Sequence, residues 1–233
     1  MKILALDSSA TVASVALCED ETLLAEYTLN NGNTHSETLL PMVETLLSHF
    51  GITVDDIDLF AVSTGPGSFT GVRIGTATVK GLAFAKNTPC LGVSTLEALA
   101  ENALALGGLI CPVMNARRSQ VYTALFRSDG QALTRLMDDS ALAIAELDDL
   151  LAPYGEPVTF VGDGYCITLD ALKKTVAREI PNRLRHQSAY SVAQVARRMQ
   201  AAGHTTNDAD LAVTYLRPSQ AERERLEREQ ANT

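Results

Sequence analysis

The sequence predicts an α/β protein made of two βββαβα units. Two observations lead there. Short apolar runs of strand character alternate with amphipathic helical runs along the chain. The order strand–strand–strand–helix–strand–helix also occurs twice, roughly 105 residues apart. The repeat is one of element order, not of letters. Composition permits it: 46% of the 233 residues are hydrophobic and 20% are charged, enough apolar material for a packed core.

Residues 2–7 (KILALD) read as a buried strand ending on an acid. Residues 11–18 and 22–28 follow with strand character, separated by a Glu-Asp-Glu turn, and complete a three-strand meander. Residues 29–37 form a polar loop. Residues 39–50 place Leu39, Val43, Leu46 and Phe50 on one helical face, widened by Leu40 and Leu47. Pro41 fits if Thr38 caps this helix, because first-turn N–H groups need no helical partner. Residues 58–64 (DLFAVST) predict a buried strand, 65–71 a glycine-rich loop, and 71–86 and 95–106 helices. In the second half, strands are expected at 109–115, 119–127 and 131–137, a helix at 143–152 and a strand at 158–162. Gly162-Asp163-Gly164 then turns into a helix near 167–177, and a last helix covers 190–202. The expected organisation is a first half over 1–106, a second over 107–218 and a charged tail over 219–233. In the tail, Glu222 with Arg225 and Glu224 with Arg228 suit a solvated, salt-bridged helix or frayed end. A partner-binding tail is the other reading.

The formal net charge is −9. That argues against a protein gripping nucleic acid through a broad basic surface, but leaves room for one that helps another subunit do so. The four cysteines, at 18, 90, 111 and 166, sit in apolar runs without a C-x-x-C pair. They read as structural thiols in a reducing compartment rather than a zinc or redox centre. The opening MKILALD has too short an apolar run for a signal peptide, and no stretch reaches membrane-spanning length. A cytoplasmic location without membrane contact is expected.

The most unusual local feature is GPGSFTGVRIG at 65–75. A glycine-rich loop from strand end to helix start offers free N–H groups and a helix dipole to an anion. No Gly-Lys-Ser/Thr follows, so it is not a Walker loop. Within the helix, Gly75, Thr78, Leu82 and Ala85 make a slim face. Two readings of it stay open: close packing on the chain's own sheet, or close approach of another subunit's helix.

This run, with ILALDSSATVASVAL, HSETLLPMVETLL, NARRSQVYTALF, VGDG and AVTYLRP, resembles the bacterial TsaB (YeaZ) family over nearly the whole chain. The resemblance implies the actin/Hsp70/sugar-kinase (ASKHA) fold in a non-catalytic member. It implies a role as scaffold and activator for the paralogue TsaD and the ATPase TsaE, which transfer a threonylcarbamoyl group to the adenosine next to the anticodon of tRNA. ATP and metal would then belong to the partner subunits, tRNA would be reached through the complex, and the isolated chain would form a homodimer. The partner surface carried over lies on the first-half helices, at Leu39, Val43, Leu46, Gly71, Arg73, Gly75, Thr78 and Leu82. A vestigial nucleotide site would comprise Asp7, Ser8, Ser9, Gly65, Gly67, Gly162 and Gly164.

The chain departs from the family at Asn115 and Ser119, where relatives usually carry Asp and Gly, which weakens a Mg-ATP site. Arg73, Arg117 and Arg118 would meet a phosphate, a partner carboxylate or solvent. The alternatives are an ATP-dependent phosphotransferase of the same fold, with Asp7 organising metal, and a metalloprotease. The second is disfavoured because TsaD-like chains hold metal with His-x-x-x-His, whereas His35 is followed at that spacing by Leu39. His35 then serves the loop and helix start, or a subunit contact.

Overall fold

The computed structural model describes residues 1–217. Both halves follow one plan, one step longer than the sequence predicts. The first runs β1 (Lys2–Asp7), β2 (Ala13–Glu19), β3 (Thr22–Leu29), α1 (His35–Phe50), β4 (Leu59–Gly65), α2 (Phe69–Phe84), β5 (Cys90–Ser94) and α3 (Thr95–Glu101). The second runs β6 (Gly108–Asn115), β7 (Gln120–Ser128), β8 (Leu133–Ala143), α4 (Ile144–Leu151), β9 (Val158–Val161), α5 (Tyr165–Ala171), β10 (Ala177–Arg178) and α6 (Ala189–Ala201).

The sheets have orders β3-β2-β1-β4-β5 and β10-β9-β6-β7-β8, the same topology twice. The hairpin pairs are antiparallel and the crossovers parallel in both. This is the α/β architecture of the actin/Hsp70/sugar-kinase type.

Alternation along β1 explains the layering. Leu4 and Leu6 face α1 and α2, packing with Leu39, Val43, Leu46 and Val79. Ile3 and Ala5 face the other way, where Ala16 and Ala61 meet Ala189, Val192, Ala193 and Ala196 of α6. Small residues on both sides let α6 approach this sheet closely. Thus α6, late in the chain, covers the first sheet. Its N-terminus is tied there by Glu26 of β3, whose Oε1 accepts from Ser188 Oγ at 2.8 Å and Tyr190 N at 3.1 Å. Conversely, Leu96, Leu99 and Ala100 of α3 pack into the core of the second sheet. The strands divide between the halves by sequence, but these two helices cross over.

Several elements differ from expectation. α1 starts at His35 with Thr34 as N-cap, not at Thr38. Pro41 therefore lies inside the helix, on its exposed side, where its missing N–H and ring are tolerated facing solvent. β5 and β10 were not expected, being five and two residues long. β8 continues to Ala143 through Asp138 and Asp139 because pairing with β7 outweighs their poor strand propensity. The expected helix at 95–106 ends at Glu101 and is followed by a separate 3₁₀ turn. The one at 167–177 occupies Tyr165–Ala171. The tail 219–233 lies outside the described residues.

Candidate functional site

A cleft of about 780 Å³ opens where the two halves meet. It is lined by the loops after β1 and β4, the start of α1, the β6–β7 hairpin, Asp163 and Thr214–Arg217.

Asp7, the last residue of β1, is 1% exposed. Its Oδ1 accepts from Ser9 N at 2.9 Å and Ser9 Oγ at 2.7 Å, and its Oδ2 from Ser63 Oγ at 2.5 Å. Burial pushes this carboxyl above the usual carboxylate range, against the opposing pull of the Ser63 and Ser9 hydrogen bonds. Ser63, which the sequence analysis passed over, was legible as a polar residue in an otherwise apolar strand. The next residues are clamped too. Ser8 Oγ donates to Gly71 O at 2.9 Å, Ser68 N donates to Ser9 O at 2.7 Å, and His35 Nε2 lies 2.6 Å from Ala10 O.

The glycines explain the closeness of this packing. A Cβ at Gly67 would run into Ser9 O, and one at Gly71 into Ser8 O. At Gly75 it would lie 2.5 Å from Ser8 Oγ and 3.2 Å from Val62 Cγ2. At Gly65, whose φ is +124°, it would strike Thr214 O. The loop, read from sequence as a cradle for an anion, is filled by the chain itself on the sides toward Ser8, Ser9 and Thr214, while Pro66–Gly71 line the cleft on the other. Of its N–H groups, Ser68's goes to Ser9 and Gly71's to the Ser68 Oγ cap.

The second half repeats this fastening. Gly162 closes β9 with φ +111°, and a Cβ there would strike Val113 O. Gly164 N donates to Val113 O at 3.0 Å, and Asp163 Oδ1 accepts from Asn115 N at 3.1 Å. The β6–β7 turn places Arg117, Arg118 and Ser119 at φ +64°, +54° and +56°, three consecutive side-chain-bearing residues in the left-handed region. Arg117 and Arg118 are exposed.

Of the two open readings of the slim helix face, own-sheet packing holds at Gly75. The surface carried over to this chain needs a wider correction. Leu39, Val43 and Leu46 are 1%, 1% and 0% exposed and belong to the core. Gly71 and Gly75 are buried, and Thr78 and Leu82 half-buried. An apolar stripe on a sheet-packed helix turns to the sheet, so Leu39, Val43, Leu46, Gly71 and Gly75 face the chain's own core while α1 and α2 stay docked, and Thr78 and Leu82 offer only part of their surface. The outward sides carry Leu40 (44% exposed) and Phe50 on α1, and Ala77, Gly81 and Phe84 (72% exposed) on α2. Arg73 is exposed but engaged: its Nε donates to Tyr215 Oη at 2.6 Å, and its Cζ lies 3.8 Å from the Phe69 ring centroid. Tyr215 was legible only as part of AVTYLRP, with no contact implied.

Among the described residues, no three His, Cys, Asp or Glu side chains converge as a metal would require. Also among them, no helix is long and apolar enough to cross a membrane.

Comparison with known proteins bears on the whole chain. A family model described as TsaD, tRNA N6-adenosine threonylcarbamoyltransferase, matches residues 22–224. The tRNA threonylcarbamoyladenosine biosynthesis protein TsaB of Bacillus subtilis (strain 168) is 38% identical over 162 residues, 70% of this chain and 71% of its own length. TsaB of Escherichia coli (strain K12) is 33% identical over 221 residues, 93% of this chain and 95% of its own. The chain belongs to the TsaB (YeaZ) family. The structure of YeaZ from Pseudomonas aeruginosa agrees, superposing with a TM-score of 0.80 at 28% identity over 92% of this chain and 99% of that one. The TsaB likeness thus extends through both sheets, not the glycine loop alone.

Proposed function

We propose that the protein is the non-catalytic partner of TsaD in tRNA threonylcarbamoyladenosine biosynthesis. With TsaE it supports transfer of the threonylcarbamoyl group to the adenosine beside the anticodon. The names of its TsaB relatives support the pathway, and the family resemblance supplies the partner role within it. The state of the cleft supports it: Asp7 accepts from Ser9 and Ser63, and in the glycine loop Ser9 O takes the Ser68 N–H and the Ser68 hydroxyl takes that of Gly71. A phosphotransferase would need that carboxylate and those N–H groups for metal and phosphate. ATP and metal accordingly belong to the partner subunits, tRNA is engaged through the complex, and the chain acts in the cytoplasm.

TsaD meets the outward sides of α1 and α2, where Phe84 and Leu40 supply exposed apolar area and Ala77 and Gly81 allow close helix approach. The same patch serves a homodimer of the isolated chain, which therefore competes with TsaD. The test is reconstitution. TsaD, TsaE and substrate tRNA are assayed for modified adenosine with and without this chain. Modification that requires the chain is expected, and equal modification without it refutes the proposal.

A further inference from the structure

We propose that Leu211–Arg217 is a strap gating the mouth of the cleft between the two sheets. The segment is anchored at its start. Thr206 forms an antiparallel bridge with Cys90, and Leu211, 3% exposed, is buried in the core under α1 and α2. Beyond Leu211 the hold changes character. From 212 to 217, one backbone hydrogen bond ties the segment to the body among the described residues, Thr214 N to Thr64 O at 2.9 Å. Tyr215 supplies the rest of the latch. Its ring stacks on Phe69 with centroids 4.8 Å apart and planes at 28°, and its hydroxyl accepts from Arg73 Nε. Arg217 then reaches the second half, its Cζ 5.9 Å from the Tyr122 ring centroid. The segment thus leaves the first half, crosses the first turn of α2 and brings Arg217 over β7, and Thr214–Arg217 line the cleft.

Two features distinguish a gate from an ordinary surface loop. The seat is built: Gly65 leaves free the space that Thr214 O occupies, so any side chain there would lift the strap. The latch is shallow: Tyr215 is 43% exposed, so solvent competes for each interaction it makes. A docked segment with a firm anchor and, among the described residues, few holds beyond it opens locally without unfolding its domain. Opening uncovers Gly65 and the Phe69 side of the glycine loop, and frees the second half from the Arg217 contact.

The test is residue-resolved hydrogen exchange on the full chain, comparing wild type with Tyr215→Ala and Tyr215→Phe. In wild type the Thr214 amide is expected to exchange about tenfold or more below its free-peptide rate. In Tyr215→Ala it should approach that free rate, and Ser68 and Gly71 in the loop beneath should speed up. Tyr215→Phe, which keeps the stack and loses the hydroxyl, should fall between. Amides of Ala5 and Ala16 in the first sheet should stay unchanged in both variants. The gate is overturned if the Thr214 amide is unprotected in wild type, or if Tyr215→Ala leaves it protected. It is equally overturned if the amides of β1 and β2 accelerate together with Thr214, because the segment would then be part of the cooperative core.

Discussion

Gly75 and Gly81 lie on the same helix, and the structure assigns opposite signs to the same substitution at each. Replacing an interior helical glycine by alanine gains about 1 kcal/mol of intrinsic propensity. At Gly81 nothing lies within 4 Å of the added methyl, so that gain is expected in full. At Gly75 the methyl would lie 2.5 Å from Ser8 Oγ and 3.2 Å from Val62 Cγ2, and Ser8 is fully buried. Moving the hydroxyl breaks its bond to Gly71 O, at about 1 kcal/mol, and overpacking adds about 1–3 kcal/mol. Subtracting the propensity gain leaves Gly75→Ala about 1–3 kcal/mol less stable than wild type. The two variants should therefore differ by about 2–4 kcal/mol. Urea unfolding at one fixed protein concentration measures this, since self-association would otherwise contribute. Gly75→Ala matching or exceeding wild-type stability would refute the packing argument. It follows that Gly75→Leu, a natural way to probe a partner contact, would report on folding instead.

Four further outcomes are expected. Phe84→Glu should leave stability within about 0.5 kcal/mol but weaken association with TsaD about tenfold or more, read by calorimetry; unchanged affinity would remove Phe84 from the partner surface. Asp148 is buried and accepts from the N–H groups of Lys173, Lys174 and Thr175 at 2.8, 3.0 and 2.9 Å; burial opposes its ionisation, but these donors outweigh it and hold the carboxyl below its ordinary value. Its contribution is thus present above the unfolded-state pKa and lost as pH falls through the lower folded value, so Asp148→Asn should cost about 1–3 kcal/mol near neutrality with the gap closing below about pH 4, checked by denaturation across pH. Ser119→Gly should stabilise by about 1 kcal/mol, a melting rise of about 2–4 °C, by relieving a left-handed backbone at φ +56°. Cys166 alone should react promptly with a thiol reagent in the native chain, because Cys18 and Cys111 are fully buried with thiols pushed up by burial to about 12, and Cys90 is buried as well.

Element order was legible because each half announces itself by period: alternation in β1 and β2, helical spacing in α1, glycines between. Short elements were not. Cys90–Ser94 and Ala177–Arg178 exist as strands because β4 and β9 offer them edges, a tertiary fact that their own letters do not encode. The exchange of α3 and α6 was also hidden, since alanine-rich faces on α6 fit either sheet until β1 shows Ala5 opposite them. The misplacement of Leu39, Val43 and Leu46 has a different cause. Their spacing already marked a buried stripe, and the family resemblance moved that stripe outward. Physically, the most regular apolar face of a helix belongs to its own core, and a partner must use what remains.

The duplication bears on function through two equivalent strand ends. Gly65, the last residue of β4, and Gly162, just after β9, have positive φ values of +124° and +111°, and each leaves room for a backbone carbonyl. In the second half that carbonyl is Val113 O, from the adjacent strand β6. In the first it is Thr214 O, from the segment that follows α6. The same local device therefore holds a permanent neighbour in one half and a lightly latched segment in the other. The acids follow a similar pattern: Asp7 is turned inward onto hydroxyls and an N–H, and Asp163 accepts from the backbone of Asn115. Both acids thus hold the loop of their own half in place, one through side-chain hydroxyls and one through the backbone of the neighbouring strand.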